Sequence, residues 1–144
     1  MKILVINGHP DKESYCQAIF QTIVETIDSN RHELEVISLN EEDFDPVLRY
    51  GYRKRMEEDL FILRSQELIQ WADHLIFVYP IWWSSMPSLM KGWIDRVFTP
   101  GIAYSANDRG SFIWNYIKGK QFKKLLKGKT ASIYATSMAP TWWY

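Results

Sequence analysis

The sequence predicts an α/β domain, a parallel sheet sandwiched between helices, and three observations carry that reading. Short β-branched runs alternate with helical stripes along the chain. The runs at 2–7, 75–79 and 131–135 lack the polar alternation of a half-solvated strand. The length, 144 residues, is that of one domain. Strands that alternate with helices form parallel sheets with right-handed crossovers, and unbroken apolar strands imply cover on both faces.

The elements follow in order. Residues 2–7, KILVIN, form a β-branched run that stops at Gly8-His9-Pro10. Ser14 and Gln17 then stand at capping-box spacing. Cys16, Ile19, Phe20, Ile23, Val24 and Ile27 recur as one helical stripe. Residues 33–39 read as a second strand, less apolar and so nearer an edge, and 40–48 as an acidic loop with Pro46. Residues 60–72 predict a helix with Leu60, Leu63, Leu68 and Trp71 on one side. The third strand, 75–79, is ended by Pro80, and Pro87 suits the first turn of the next helix. That helix has the stripe Met86, Leu89, Met90, Trp93, Ile94, Val97 and Phe98, closed by Pro100-Gly101. Residues 105–128 are polar and irregular, with a short helix expected near 122–126, and 131–135 make a fourth strand.

Composition narrows the function. Seventeen Lys+Arg against 17 Asp+Glu give a net charge of zero, which argues against a nucleic-acid binder. One cysteine excludes a disulfide framework, and the three scattered histidines match no zinc spacing, so no metal is expected. No apolar run is long enough for a bilayer and no signal-peptide layout opens the chain, so a cytoplasmic protein without membrane insertion is expected. The unusual quantity is 15% aromatic residues, with seven Trp and eight Tyr, which points to a flat ligand or a buried interface.

Ligands of open α/β sheets bind outside the carboxyl ends of the strands. That rule selects three loops, 8–14, 80–87 and 136–144. In the first, His9, Ser14 and the backbone of Tyr15 and Cys16 could donate to a phosphate at a helix N-terminus. The blander alternative is that Ser14 only caps and His9 is a surface turn residue. The loop is neither a Gly-x-Gly-x-x-Gly turn nor a Walker loop. In the second loop Trp82 and Trp83 are adjacent and cannot both face the core, so either one is a platform or both pack under a neighbouring loop. The third again carries hydroxyls and aromatics. One phosphate-type loop beside two aromatic loops fits a phosphorylated planar ring such as flavin mononucleotide. Elsewhere Cys16 reads as a core cysteine. Lys118, Lys120, Lys123, Lys124, Lys127 and Lys129 read as a solvated face, and Asp95-Arg96 as a structural ion pair.

Several segments carry a resemblance: Gly8-His9-Pro10, Asp43-Phe44-Asp45-Pro46-Val47-Leu48 and Ala72-Asp73-His74. The most specific is Pro80-Ile81-Trp82-Trp83-x-x-Met86-Pro87-x-x-x-Lys91-Gly92-Trp93-Ile94-Asp95-Arg96-Val97-Phe98, followed by Gly101-x-Ala103-Tyr104. Together they resemble the flavodoxin-like NAD(P)H:quinone oxidoreductases, whose bacterial members include modulator-of-drug-activity-type reductases and ancillary subunits of potassium-efflux systems. The resemblance implies a single flavodoxin-like flavin-binding domain over 1–144, with FMN or FAD held non-covalently and NAD(P)H as electron donor. By resemblance, His9, Ser14 and Tyr15 fall at the flavin phosphate, with Cys16 beside them. Pro80, Ile81, Trp82 and Trp83 fall along the isoalloxazine, and Thr136, Ser137, Met138 and Ala139 occupy the third flavin loop. Tyr104 and Trp83 match the substrate pocket, and Tyr144 the active-site tyrosine.

Two departures stand out. Met138 and Ala139 stand where the family usually carries glycines. The chain also stops at Tyr144, where family members continue through another helix, a fifth strand and a histidine, so the sheet is expected to lack that strand and helix. The expected activity is two-electron hydride transfer from NAD(P)H to flavin and then to a quinone. The alternative is a flavin-binding ancillary subunit with little turnover, working with a peripheral partner subunit. A flavodoxin-type carrier ranks below both, since the acidic charge and Ser/Thr-rich first loop are missing. The resemblance implies a homodimer, since family members usually build the substrate pocket from two chains, and composition agrees: Trp82, Trp83, Tyr104, Trp114, Tyr116, Trp142 and Trp143 lie in or beside loops and aromatics are enriched at interfaces.

Overall fold

The computed structural model describes residues 1–105 and 123–139. The chain runs β1 (Lys2–Asn7), α1 (Tyr15–Thr26), β2 (Glu33–Ser38), α2 (Leu60–Trp71), β3 (His74–Pro80), α3 (Ser88–Val97), β4 (Tyr104–Ser105), β5 (Lys123–Lys124) and β6 (Thr130–Thr136). Four strands form a parallel sheet in the order β2-β1-β3-β6, and β4 pairs antiparallel with β5. The less apolar β2 is an edge strand, as its composition predicts.

The unbroken apolar character of β1 and β3 has a direct cause. Their side chains alternate between two separate cores. Ile3, Val5, Ile76 and Val78 pack with Cys16 and Phe20 of α1. Leu4, Ile6 and Leu75 pack on the opposite face with Ile62 and Ile69 of α2 and Met90, Trp93 and Val97 of α3. The central positions of these strands therefore meet a helix layer on one face or the other.

Local chemistry fixes the helix starts. Ser14 Oγ accepts the Gln17 N–H at 3.2 Å to cap α1. Asp59 accepts from Phe61 N at 3.0 Å and Ile62 N at 3.2 Å to cap α2. Of the expected stripe, Leu68 and Trp71 pack against the core and Leu60 is exposed, while the fully buried face is Ile62, Ser65 and Ile69. A serine sits there because its hydroxyl accepts the indole N–H of buried Trp93 at 3.0 Å. Asp95 and Arg96 are structural but do not pair with each other. Lys91 grips Asp95 at 2.6 Å, while the buried Arg96 donates to the Asp45 carbonyl at 2.6 Å and lies 3.5 Å from Asp59.

Two further expectations fail. No helix forms over 123–126; Lys123–Lys124 pairs with β4 and Leu125 N donates to the Ala103 carbonyl, while Phe122 lies outside the described residues. Among the described residues, nothing covers both faces of the fourth strand, β6. It pairs fully with β3, yet Ile133 and Tyr134 are 61% and 47% exposed, because α1 packs on β1 and β3 and the α2/α3 layer lies over the same centre. The edge is held instead by His74, whose ring nitrogens meet the hydroxyls of Thr130 at 2.6 Å and Ser132 at 3.2 Å. Of the lysine cluster, Lys123, Lys124 and Lys127 are exposed. Lys129 instead caps the end of α2 through the carbonyls of Gln70 and Ala72, and Lys118 and Lys120 lie outside the described residues.

Candidate functional site

The three loops at the carboxyl ends of β1, β3 and β6 meet pairwise. His9 of the first stands edge-on to Trp82 of the second, ring centroids 5.5 Å apart. Ile81 N of the second donates to the Thr136 carbonyl of the third at 2.7 Å. Cys16 Sγ, in the first turn after the first loop, lies 3.2 Å from Thr136 Oγ1. The parallel sheet accounts for the first two contacts, since β1 and β3, and β3 and β6, are adjacent and end side by side; the Cys16–Thr136 contact spans β3.

The first loop is wound by its own side chains. Asn7 Oδ1 accepts His9 N at 3.1 Å, His9 Nδ1 accepts Asp11 N at 2.9 Å, and Asp11 Oδ1 accepts Glu13 N at 3.0 Å. Gly8 N is taken by the Val78 carbonyl at 2.8 Å, and Pro10 has no N–H. Among the described residues, the backbone N–H groups of Ser14, Tyr15 and Cys16 have no such partner. They form a run of free donors at a helix N-terminus, a ready anion site. The Asp11 bond also fixes the tautomer of His9. Neutral His9 carries its proton on Nε2, so the ring offers one further donor. Ser14 is therefore both a cap and the first member of the donor run.

The second loop contains a two-residue turn. Trp82 N donates to the Ser85 carbonyl at 2.8 Å and Ser85 N to the Trp82 carbonyl at 3.0 Å. Trp83 and Ser84 between them have φ of 51° and 58°. This is the turn that ordinarily takes Asn-Gly. Its consequence is that neither tryptophan is in the core: Trp83 is wholly exposed and Trp82 nearly half exposed.

In the third loop Ser137 Oγ donates to the Ala139 carbonyl at 2.7 Å and the Met138 side chain is wholly exposed. Cys16 is buried, as a core cysteine; burial pushes its thiol pKa up and the Thr136 hydroxyl opposes the shift. Its side chain is committed to the core, leaving only its N–H to the loop. Tyr104 lies away from the described part of these loops. It follows α3, at the end remote from 80–87, near Tyr52, whose phenol is pushed up by burial and then by Tyr104 and Asp95. Tyr144, Trp142, Trp143, Trp114 and Tyr116 lie outside the described residues.

The residue pattern did not single out Asn7 or Gly8. Asn7 is fully buried at the end of an apolar strand, and that is the one signal that could have found it. Gly8 faces Met90, so a Cβ there would crowd that side chain. A cleft of 540 Å³ lies elsewhere, between the 48–59 segment and the ends of α2 and α3, and none of its lining residues belongs to the three loops. Among the described residues, no helix is long and apolar enough to cross a membrane.

With this geometry in place, comparisons with known proteins agree on the fold. A family model described as flavodoxin-like fold matches residues 1–144. A ribosyldihydronicotinamide dehydrogenase-like protein of Penicillium crustosum is 29% identical over 94% of this chain and 57% of its own length. NAD(P)H dehydrogenase [quinone] 1 of Cavia porcellus is 29% identical over 77% of this chain and 49% of its own length. The chain thus spans about half the length of these two curated relatives. The solved structure of Smu.1420 from Streptococcus mutans UA159 superposes with a TM-score of 0.80 at 33% identity, covering 99% of this chain and 71% of that one.

Proposed function

The chain belongs to this flavodoxin-like family, and from that premise we propose that it is a single flavin-binding unit over 1–144 of an NAD(P)H:quinone oxidoreductase. The observation that carries the reading is the run of free N–H groups at Ser14, Tyr15 and Cys16, set beside the exposed Trp82 and Trp83 at one sheet edge. A phosphorylated flat ring fits both. The names of the relatives above, a quinone dehydrogenase among them, support the substrate class.

Bound flavin supplies the two-electron hydride chemistry between NAD(P)H and a quinone. The chain's own residues hold and orient it. The Ser14–Cys16 donors and His9 Nε2–H would neutralise its phosphate. The backbone of Pro80, Ile81, Trp82 and Trp83 would flank the ring, and Thr136, Ser137, Met138 and Ala139 would close the third side. Trp83, wholly exposed, would cover the substrate. Tyr104 and Trp83 would line the substrate pocket, and we read the active form as a homodimer, a reading supported by the exposed Trp82 and Trp83, since aromatics are enriched at interfaces. The active-site tyrosine of the resemblance falls at Tyr144. The one free cysteine suits a reducing cytoplasm.

The test is the visible spectrum of the purified chain, as isolated and after addition of FMN or FAD, followed by NADH and NADPH consumption with menadione. Bound flavin with turnover is expected, and its identity settles FMN against FAD. No flavin under either condition overturns the reading. Flavin without turnover supports an ancillary subunit instead. Light scattering of the flavin-bound protein decides the dimer: a single-chain mass moves the pocket onto one protomer.

A further inference from the structure

We propose that Asn7 is a positioning residue that sets the anion-binding geometry of the first loop, with Gln17 as its support, and so sets the preference for a phosphorylated ligand; this rests on the flavin reading above. Asn7 is fully buried, and its strand neighbours Ile3 through Ile6 are apolar. A leucine would pack there without the desolvation cost of an amide. The amide is satisfied at both ends. Backbone His9 N–H is only a donor, so the Asn7 atom facing it is Oδ1. The Asn7 Nδ2 then donates to Gln17 Oε1 at 2.6 Å.

Gln17 shows what this arrangement displaces. In a capping box its side chain would turn back to the backbone N–H of Ser14. Here only the forward half of the box forms, from Gln17 N to Ser14 Oγ. The side chain reaches the strand instead, and the Ser14 N–H stays free among the described residues. One hydrogen bond thus does two things. It orients Asn7 to start the relay through His9, Asp11 and Glu13, and it keeps Ser14 in the donor run. Removing the amide orphans His9 N–H and Gln17 Oε1 together and lets Gln17 close the capping box over the anion site.

The experiment compares dissociation constants of FMN and riboflavin, which differ by the phosphate alone, for the wild-type chain, Asn7→Leu and Gln17→Met. Flavin fluorescence reads binding, and thermal unfolding is recorded alongside. The wild type is expected to favour FMN. Asn7→Leu is expected to cut that preference about tenfold, the worth of one charge-assisted hydrogen bond, with riboflavin affinity little changed. Gln17→Met moves the ratio the same way and decides the matter if Asn7→Leu does not fold. A wild type that binds neither flavin sinks the functional reading itself. A wild type that binds FMN with an unchanged ratio in both variants, or a parallel loss of both ligands, overturns the positioning role.

Discussion

Gly92 lies flush against the backbone of Pro46. A Cβ placed on it would stand 2.8 Å from the Pro46 carbonyl carbon and overlap the carbonyl oxygen. The α3 helix thus meets the loop after β2 at a separation that only glycine permits. The same contact lets Arg96, one turn on, reach the Asp45 carbonyl.

Gly92→Ala is therefore destabilising, although alanine is the better helix former by about 1 kcal/mol. The overlap is with backbone atoms, which puts the overpacking cost at the upper end of its range, about 2–3 kcal/mol. The expected net effect is a melting temperature lower by about 2–8 °C, measured by calorimetry. An unchanged or higher value would show that the 40–48 loop yields freely.

Ser84→Gly acts in the opposite sense. Ser84 holds φ at 58° in the turn beside the proposed ring site, and it is exposed. A non-glycine residue in that region costs about 1–3 kcal/mol, and glycine removes most of the strain. The substitution is expected to raise the melting temperature by about 2–4 °C. It leaves flavin affinity intact, because the backbone path is unchanged. A lower melting temperature would mean that the turn is not the one described.

Cys16 gives a pH dependence. Burial raises its thiol pKa in the folded state, opposed in part by the Thr136 hydroxyl. A raised folded-state value means that its contribution to stability is complete below the unfolded thiol value, about 8.5. That contribution is lost as pH rises through the folded value. Urea unfolding at neutral and at strongly alkaline pH is expected to show the wild type losing more stability than Cys16→Ala. Parallel loss in the two proteins would rule the thiol out.

The layers of the fold were legible because burial on both faces leaves a plain mark, the unbroken apolar runs of β1 and β3. The α2 stripe was legible only in part: Leu68 and Trp71 pack on the core as read, but Ser65 reads as polar while its hydroxyl is spent on the Trp93 indole. The exposure of β6 was not legible, because Ile133 and Tyr134 are the same β-forming residues that a covered strand carries. In the site, residue types named the three loops. What they could not give was the winding of the first loop, since Asn7, His9 and Asp11 act on backbone N–H groups two residues on, and any of the three would look ordinary in a turn.

The donor run can be tested where it matters most. In the proposed complex His9 Nε2–H and the Ser14 hydroxyl add side-chain donors to the free backbone N–H groups. The helix-end effect alone is worth about 0.3–2 kcal/mol, too little to hold a phosphate without them. Hydrogen bonds to a charged group contribute about 1.5–3 kcal/mol each. His9→Ala with Ser14→Ala is thus expected to weaken FMN binding at least about tenfold. Ser14→Ala also removes the cap of α1, at a cost of about 1 kcal/mol. The affinity is therefore measured well below the melting temperature of the double variant, with riboflavin as the control that lacks the phosphate. His9 also stands edge-on to Trp82, so His9→Phe, which keeps an aromatic ring but neither nitrogen, separates the ring contact from the roles of Nε2 and of Nδ1, which accepts Asp11 N. It is expected to behave like His9→Ala toward FMN and like the wild type toward riboflavin. Unchanged FMN affinity in the double variant would place the phosphate away from this loop.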